Sequence, residues 1–251
     1  MTSRRPPALV AASHGTSSPE GRAAVRRLYD AVVAAVVERW PDAAPQTRLC
    51  HVDVEQPDVP AALATLPEGE PAVIVPLLLS AGYHVHVDLA EAAANAREAG
   101  REVVVADALG PDERLIPVLR RRLAEAGADD RDPVVLVVAG SSDVRAVAAC
   151  ERVRDTLAEA SVADVSIGFL SAAEPRLPDA IAAARSAHAG HGPGMRIAAA
   201  SYLLAPGYFQ DLASSAAPDL LAEPLLRPDD APAELVQIVL DRYAEALTRS
   251  K

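Results

Sequence analysis

Three short polar segments, each directly after an apolar run, hold the residues best suited to chemistry: Ser13-His14-Gly15-Thr16-Ser17, His51-Val52-Asp53-Val54-Glu55 and Ser80-Ala81-Gly82-Tyr83-His84. An imidazole accepts a proton or binds a borderline divalent metal near neutral pH, and a carboxylate can join it in either task. Two histidines and a carboxylate suit iron, cobalt, nickel or zinc. His14, His84 and Asp53 are therefore the candidate metal ligands, and His14 and His84 the candidate proton acceptors. Two supporting carboxylates follow from periodicity. Glu55 shares a face with Asp53 and His51 if the strand runs on, because strand side chains alternate. Asp88 lies four residues after His84, on the same face of a helix that starts there.

Taken singly, each residue has a structural reading as well. His14 can be a turn residue, with Gly15 making the turn, Ser17 or Ser18 capping the next helix and Pro19 opening it. The alternating polar residues 51–55 can be a solvated strand face, and His84 with His86 a helix-start pair. Their joint occurrence after three strands favours a site, because ligands of open parallel sheets bind beyond the carboxyl ends of the strands. Other chemistries are excluded by absent motifs. The chain has no HExxH, no GxGxxG after its first strand, no phosphate-binding loop and no GxSxG nucleophile elbow. Cys50 and Cys150 lie in neither a CxxC nor a zinc spacing and read as small buried hydrophobes. His188 and His191 fall in the Gly-rich stretch SAHAGHGPG, read as an exposed loop.

The elements that must position these residues are short β-branched runs alternating with Ala/Arg/Glu-rich helical stretches, the pattern of parallel α/β units. Strands are predicted at 7–13, 47–55, 71–79, 102–107, 134–140, 162–170 and 196–204. Helices are predicted at 20–39, 57–66, 85–99, 111–126 and 144–160, from Pro175, and from Ala231 onward. The polar segment 128–133, ending in Pro133, is the best linker candidate. In 251 residues, 50% hydrophobic and 24% charged, the composition is that of a globular chain. A net charge of −11 argues against nucleic acid or an anionic membrane as partner. The N-terminal apolar run is too short for a secretory signal and no stretch approaches a membrane span, so a cytoplasmic, soluble protein is expected.

The order of elements restarts after residue 133. Ala8-Leu-Val-Ala-Ala-Ser-His14 pairs with Val135-Leu-Val-Val-Ala-Gly-Ser141, an offset of 127. The segment around Pro57 pairs with that around Pro175 at 118, and Leu78-Leu-Ser-Ala-Gly82-Tyr83-His84 with Leu203-Leu-Ala-Pro-Gly207-Tyr208-Phe209 at 125. A repeat of this length is a duplicated lobe rather than a solenoid unit. The expected fold is α/β: two tandem lobes, 1–127 and 133–251, each a mainly parallel four-stranded sheet flanked by helices, with a cleft between them. In the second lobe Ser141, Ser171 and Phe209 stand opposite His14, Asp53 and His84. The turns persist while the candidate ligands are gone, so the ligands serve something other than the fold. On the residues alone, metal catalysis, a metal carrier and a duplicated small-molecule binding protein all remain open.

The strand-Ser13-His14-Gly15-Thr16 start, the carboxylate before Pro57 and above all Pro76-Leu-Leu-Leu-Ser-Ala-Gly82-Tyr-His84-Val-His-Val-Asp88 resemble the two-lobed sirohydrochlorin chelatases, the class II chelatase family. The resemblance implies insertion of ferrous iron or cobalt into sirohydrochlorin, on the way to siroheme or cobalamin, with the metal as substrate and no organic cofactor. It maps the family's metal-binding and catalytic histidines onto His14 and His84. The family's carboxylate, usually a Glu, falls on Asp53, with Glu55 as the other candidate for that role. For the tetrapyrrole it implies contacts from Gly15, Thr16, Ser17, Gly82, Tyr83 and Phe209, with Arg22 as a nearby cation for the substrate carboxylates. Phe209 is either a ring that stacks on the macrocycle or a core residue. A monomer acting without nucleic acid or membrane is expected.

Overall fold

In the computed structural model the described residues are 5–80, 83–189 and 195–249, with the side chains of 83–86 set aside. The first sheet contains β1 (Ala8–Ser13), β2 (Thr47–His51), β3 (Ala72–Pro76) and β4 (Val103–Val105), in the order β2-β1-β3-β4. The second contains β5 (Val134–Val138), β6 (Val165–Phe169), β7 (Ala198–Tyr202) and β8 (Leu220–Leu221), in the order β6-β5-β7-β8. Every pairing is parallel. Central strands of a parallel sheet are covered on both faces, so they read as unbroken apolar runs. β1, β3, β5 and β7 are buried along their whole length.

The connecting helices are α1 (Pro19–Arg39), α2 (Val59–Ala64), α3 (Tyr83–Glu98), α4 (Leu115–Glu125), α5 (Val144–Glu159), α6 (Leu177–Ala187), α7 (Tyr208–Ser215) and α8 (Ala233–Arg249). On one face of the first sheet, Val10, Ala12, Cys50 and Ile74 pack with Val59 and Leu63 of α2 and Leu89 and Ala93 of α3. On one face of the second, Val135, Val137 and Ala199 pack with Leu177 and Ile181 of α6 and Ala213 of α7. Among the described residues no helix is long and apolar enough to cross a membrane.

The chain divides into two compact units that differ from the expected 1–127 and 133–251: residues 1–109 with 228–251, and residues 110–227. Two helices account for the difference. α8 packs on β3 and α1 of the first unit, and α4 packs on β7 and α5 of the second. α8 is fixed there by Tyr243, whose hydroxyl donates to the Pro7 carbonyl and whose ring meets Trp40 edge-on at 5.7 Å. Arg242 Nε adds a 2.9 Å hydrogen bond to the Ala108 carbonyl. α4 is anchored by Arg122, 1% exposed, whose guanidinium donates to the carbonyls of Pro224 and Leu225 at 3.1 and 2.8 Å. Each half of the sequence thus contributes a helix to the other half's sheet.

The 128–133 segment is not a linker between units. It lies inside the second unit, where buried Asp132 accepts from Asp129 N at 2.9 Å and pairs with Arg196 at 2.9 Å.

Candidate functional site

β1 lies between β2 and β3, and the candidate residues follow the carboxyl ends of these three neighbouring strands. His14 comes directly after β1 and is exposed. Gly15 then adopts φ +93°, and a Cβ there would lie 1.9 Å from the Asp53 carbonyl oxygen, so only glycine allows the approach. Thr16 starts the route into α1: its Oγ1 accepts from Ser18 N at 3.1 Å, and Ser18 Oγ caps the helix by accepting from Gly21 N at 3.1 Å. Ser17 is exposed on this turn.

β2 stops at His51, so the expected strand alternation over 51–55 does not hold. The chain folds back there. His51 N donates to the Pro57 carbonyl at 3.0 Å, Glu55 N to the Asp53 carbonyl at 2.7 Å, and Val54 takes φ +64°. The three polar residues consequently separate. His51 is buried, Asp53 is exposed with Oδ1 accepting from Val54 N at 2.7 Å, and Glu55 turns back toward the His14 turn. The backbone still ties the first two segments together, with Val52 N donating to Ser13 O and Asp53 N to His14 O, both at 2.9 Å.

Glu55 is the busiest side chain of the region. Oε1 accepts from Thr16 N at 2.8 Å and lies 3.7 Å from His51 Nδ1, and Oε2 lies 3.4 Å from Arg22 Nε. Arg22 Nε also donates to the Thr16 carbonyl at 2.9 Å. His51 Nδ1 meets Ser13 Oγ at 2.7 Å. Burial pushes the His51 pKa below its ordinary value, against the opposing pull of Glu55, and Arg26 and Arg22 lower it further; the ring is neutral at pH 7. Sequence reasoning missed the roles of Ser13 and His51. The available signal was a serine ending an otherwise apolar buried strand beside a histidine on the neighbouring one.

His84 is the second residue of α3, beyond β3. The side chains of Tyr83 and His84, and Gly82 altogether, lie outside the described residues. Asp88 is exposed on α3. Among the described residues no group of three or more His, Cys, Asp or Glu side chains converges on a metal position.

The second unit repeats the backbone of this region closely enough to correct the alignment. Gly140 has φ +93° and a Cβ there would lie 1.8 Å from the Ser171 carbonyl oxygen, as Gly15 does to Asp53. Ser171 N donates to Ala139 O at 2.9 Å, Ala173 N to Ser171 O at 2.7 Å and Phe169 N to Pro175 O at 2.9 Å. Ala172 matches Val54 with φ +54°. Ala139, not Ser141, therefore stands opposite His14; the glycine turn fixes the offset at this point, and Ser141 matches Thr16 instead. Val138, Phe169, Ser171 and Ala173 stand opposite Ser13, His51, Asp53 and Glu55. The turns survive without the histidines and carboxylates, with Ser171 Oγ donating to the Ala139 carbonyl at 2.7 Å. Phe209, opposite His84, is 37% exposed, and its neighbour Tyr208 is 71% exposed, the two rings meeting at 5.5 Å.

Comparison with known proteins fits this geometry. The structure resembles SirB from Bacillus subtilis with Fe3+, at 18% identity over 97% of this chain and 96% of that one, with a TM-score of 0.79. It also resembles the sirohydrochlorin chelatase SirB from Bacillus subtilis subspecies spizizenii in complex with cobalt: 16% identity, 96% and 95% coverage, TM-score 0.70. A third likeness is CbiX, the terminal enzyme for biosynthesis of siroheme in denitrifying bacteria, at 19% identity, 93% and 98% coverage and TM-score 0.62. No curated protein matches this sequence at a significant level. The CbiX family model matches residues 8–126 and again 133–223, one stretch for each copy of the duplicated pattern. With two successive stretches that together make up most of the sequence matched by one model, the chain belongs to the CbiX family.

Proposed function

We propose that this chain is a sirohydrochlorin chelatase, which inserts ferrous iron or cobalt into the macrocycle. The observation that carries the reading is the contrast inside the molecule. The same glycine turn and the same fold-back loop occur in both units, yet His14 and Asp53 are found in one and Ala139 and Ser171 in the other. At the third strand His84 is replaced by Phe209. A residue needed by the fold would be expected in both copies.

His14, His84 and Asp53 present the incoming divalent ion, a donor set that suits both iron and cobalt. Asp53 is the better ligand of the two carboxylates, because it is exposed while both oxygens of Glu55 are engaged with Thr16 N and Arg22. Insertion replaces two pyrrole N–H protons by the metal. As the ion leaves an imidazole for the macrocycle, that nitrogen regains its lone pair, so His14 and His84 can take up the two departing protons. Gly15, Thr16 and Ser17 lie on the turn beside His14, on the side from which the macrocycle would be approached; Gly82 and Tyr83 are assigned the same role from the sequence alone.

The test is incubation of the purified chain with sirohydrochlorin and either Fe2+ or Co2+ without oxygen, followed by absorbance. Faster insertion than in protein-free solution supports the reading, and the faster metal identifies the preferred substrate. Binding of metal or macrocycle with no acceleration would replace the enzyme by a carrier.

A further inference from the structure

We infer that Ser13, His51, Glu55 and Arg22 form a positioning cluster that holds the His14 turn and the Asp53 turn in register for metal delivery. This rests on the chelatase reading. Ser13 precedes His14, and its hydroxyl is held by His51 at 2.7 Å. Thr16 follows two residues later, its N–H held by Glu55 and its carbonyl by Arg22, at 2.8 and 2.9 Å. Glu55 itself comes two residues after Asp53. On one side of His14 the Ser13 side chain is held by His51 at the end of β2, and on the other the Thr16 backbone is held by Glu55 of the Asp53 loop and by Arg22 of α1.

Burial makes the arrangement informative. His51 is 6% exposed and the Glu55 side chain 15%. Taking an imidazole and a carboxylate out of water costs free energy that paired hydrogen bonds only partly return. The second unit holds the same turn without a buried imidazole or carboxylate: Val138, Phe169 and Ala173 stand at the matching positions, and a single hydroxyl, Ser171 Oγ, donates to the Ala139 carbonyl at 2.7 Å. Arg22 likewise has Val147 as its counterpart on α5. The polar version accompanies the copy that has His14 and Asp53. It restrains residues that must not drift as the metal passes from one set of ligands to another, and supports of this kind are worth about 10–100-fold in affinity or activity.

The second unit also supplies the variant. Glu55→Ala installs the residue found at the matching position, so the fold should survive. The triple variant Ser13→Val, His51→Phe, Glu55→Ala transplants the three apolar residues found at the matching positions. Three readouts are needed: circular dichroism for folding, the visible absorption spectrum of added Co2+ for the metal geometry, and kcat and KM for insertion. Folded Glu55→Ala should show a kcat lowered about 10-fold or more with KM within about twofold, and an altered Co2+ spectrum. Glu55→Gln, which keeps an acceptor for Thr16 N, should recover part of both. A folded Glu55→Ala with wild-type kcat and Co2+ spectrum would overturn the inference, whether or not the triple variant folds. If the wild-type chain inserts no metal, the chelatase reading fails; the effect of Glu55→Ala on the Co2+ spectrum then still decides whether the cluster positions the ligands.

Discussion

Replacing Gly15 by alanine tests how tightly the His14 turn depends on the Asp53 loop. The added Cβ would lie 1.9 Å from the Asp53 carbonyl oxygen and 3.0 Å from its carbon. Both are backbone atoms, so no flexible side-chain tip can yield. The loop must retreat by roughly 1.5 Å to reach ordinary contact, and the Asp53 N to His14 O bond of 2.9 Å is strained or lost. An L-residue at φ +93° adds about 1–2 kcal/mol, and the lost bond about 1 kcal/mol. The expected loss of stability is about 2–3 kcal/mol, visible in urea or thermal unfolding. Displacement of the candidate ligands by about 1 Å should lower insertion by on the order of 100-fold in the protein that remains folded. Gly140→Ala is the control, since its Cβ would meet Ser171 O at 1.8 Å with the same φ. It should cost similar stability yet leave activity per folded molecule largely intact. Equal loss of activity in the two variants would refute the assignment of the chemistry to the first unit.

Other expectations concern single side chains. His14→Ala removes an exposed imidazole, so stability should change by less than about 1 kcal/mol while insertion falls at least about 100-fold; wild-type rates would remove His14 from the mechanism. Arg122→Met leaves the Pro224 and Leu225 carbonyls without their donor and should destabilise the second unit by about 3 kcal/mol, measured by denaturant unfolding. Burial raises the Cys50 thiol to about 12 and the Cys150 thiol to about 11, so both should be un-ionised at pH 8 and react with an aromatic disulfide reagent only on unfolding.

The strand positions and most helices were legible because the central strands, buried on both faces, are unbroken apolar runs and the helices between them are Ala/Arg/Glu-rich. β8 was not, since Leu220–Leu221 is too short to show a pattern, and α7 was hidden behind the Gly207 turn. The exchange of α4 and α8 between units was illegible for another reason. An amphipathic stripe says that a helix must pack, but not on which of two similar sheets. At the site, the positions of His14 and Asp53 followed from the rule that parallel sheets bind ligands at their carboxyl edge. The fate of Glu55 did not. Alternation assigned it to the face of Asp53, but β2 ends at His51 and the loop turns at Val54, φ +64°, which brings Glu55 to Thr16 N.

The last expectation concerns the second unit, which keeps the turns but not the candidate ligands. At the position of His84 it presents Phe209 with Tyr208 beside it, rings 5.5 Å apart at 61°. The core reading of Phe209 requires burial, and 37% exposure next to a tyrosine exposed at 71% does not meet it. Exposed aromatic rings are scarce in a chain that is only 3% aromatic. A flat, conjugated ligand is the partner such a pair would suit, by offset stacking or edge contact worth about 0.5–1.5 kcal/mol. Phe209→Ala should therefore raise KM for sirohydrochlorin about 2–12-fold, on the conversion of 1.4 kcal/mol to a factor of ten, and leave kcat and the Co2+ spectrum unchanged. Because the ring is partly exposed, unfolding stability should fall by less than the roughly 3–5 kcal/mol typical of emptying a core phenylalanine site. An unchanged KM with a large stability loss would return Phe209 to the core and leave the second unit a purely architectural role.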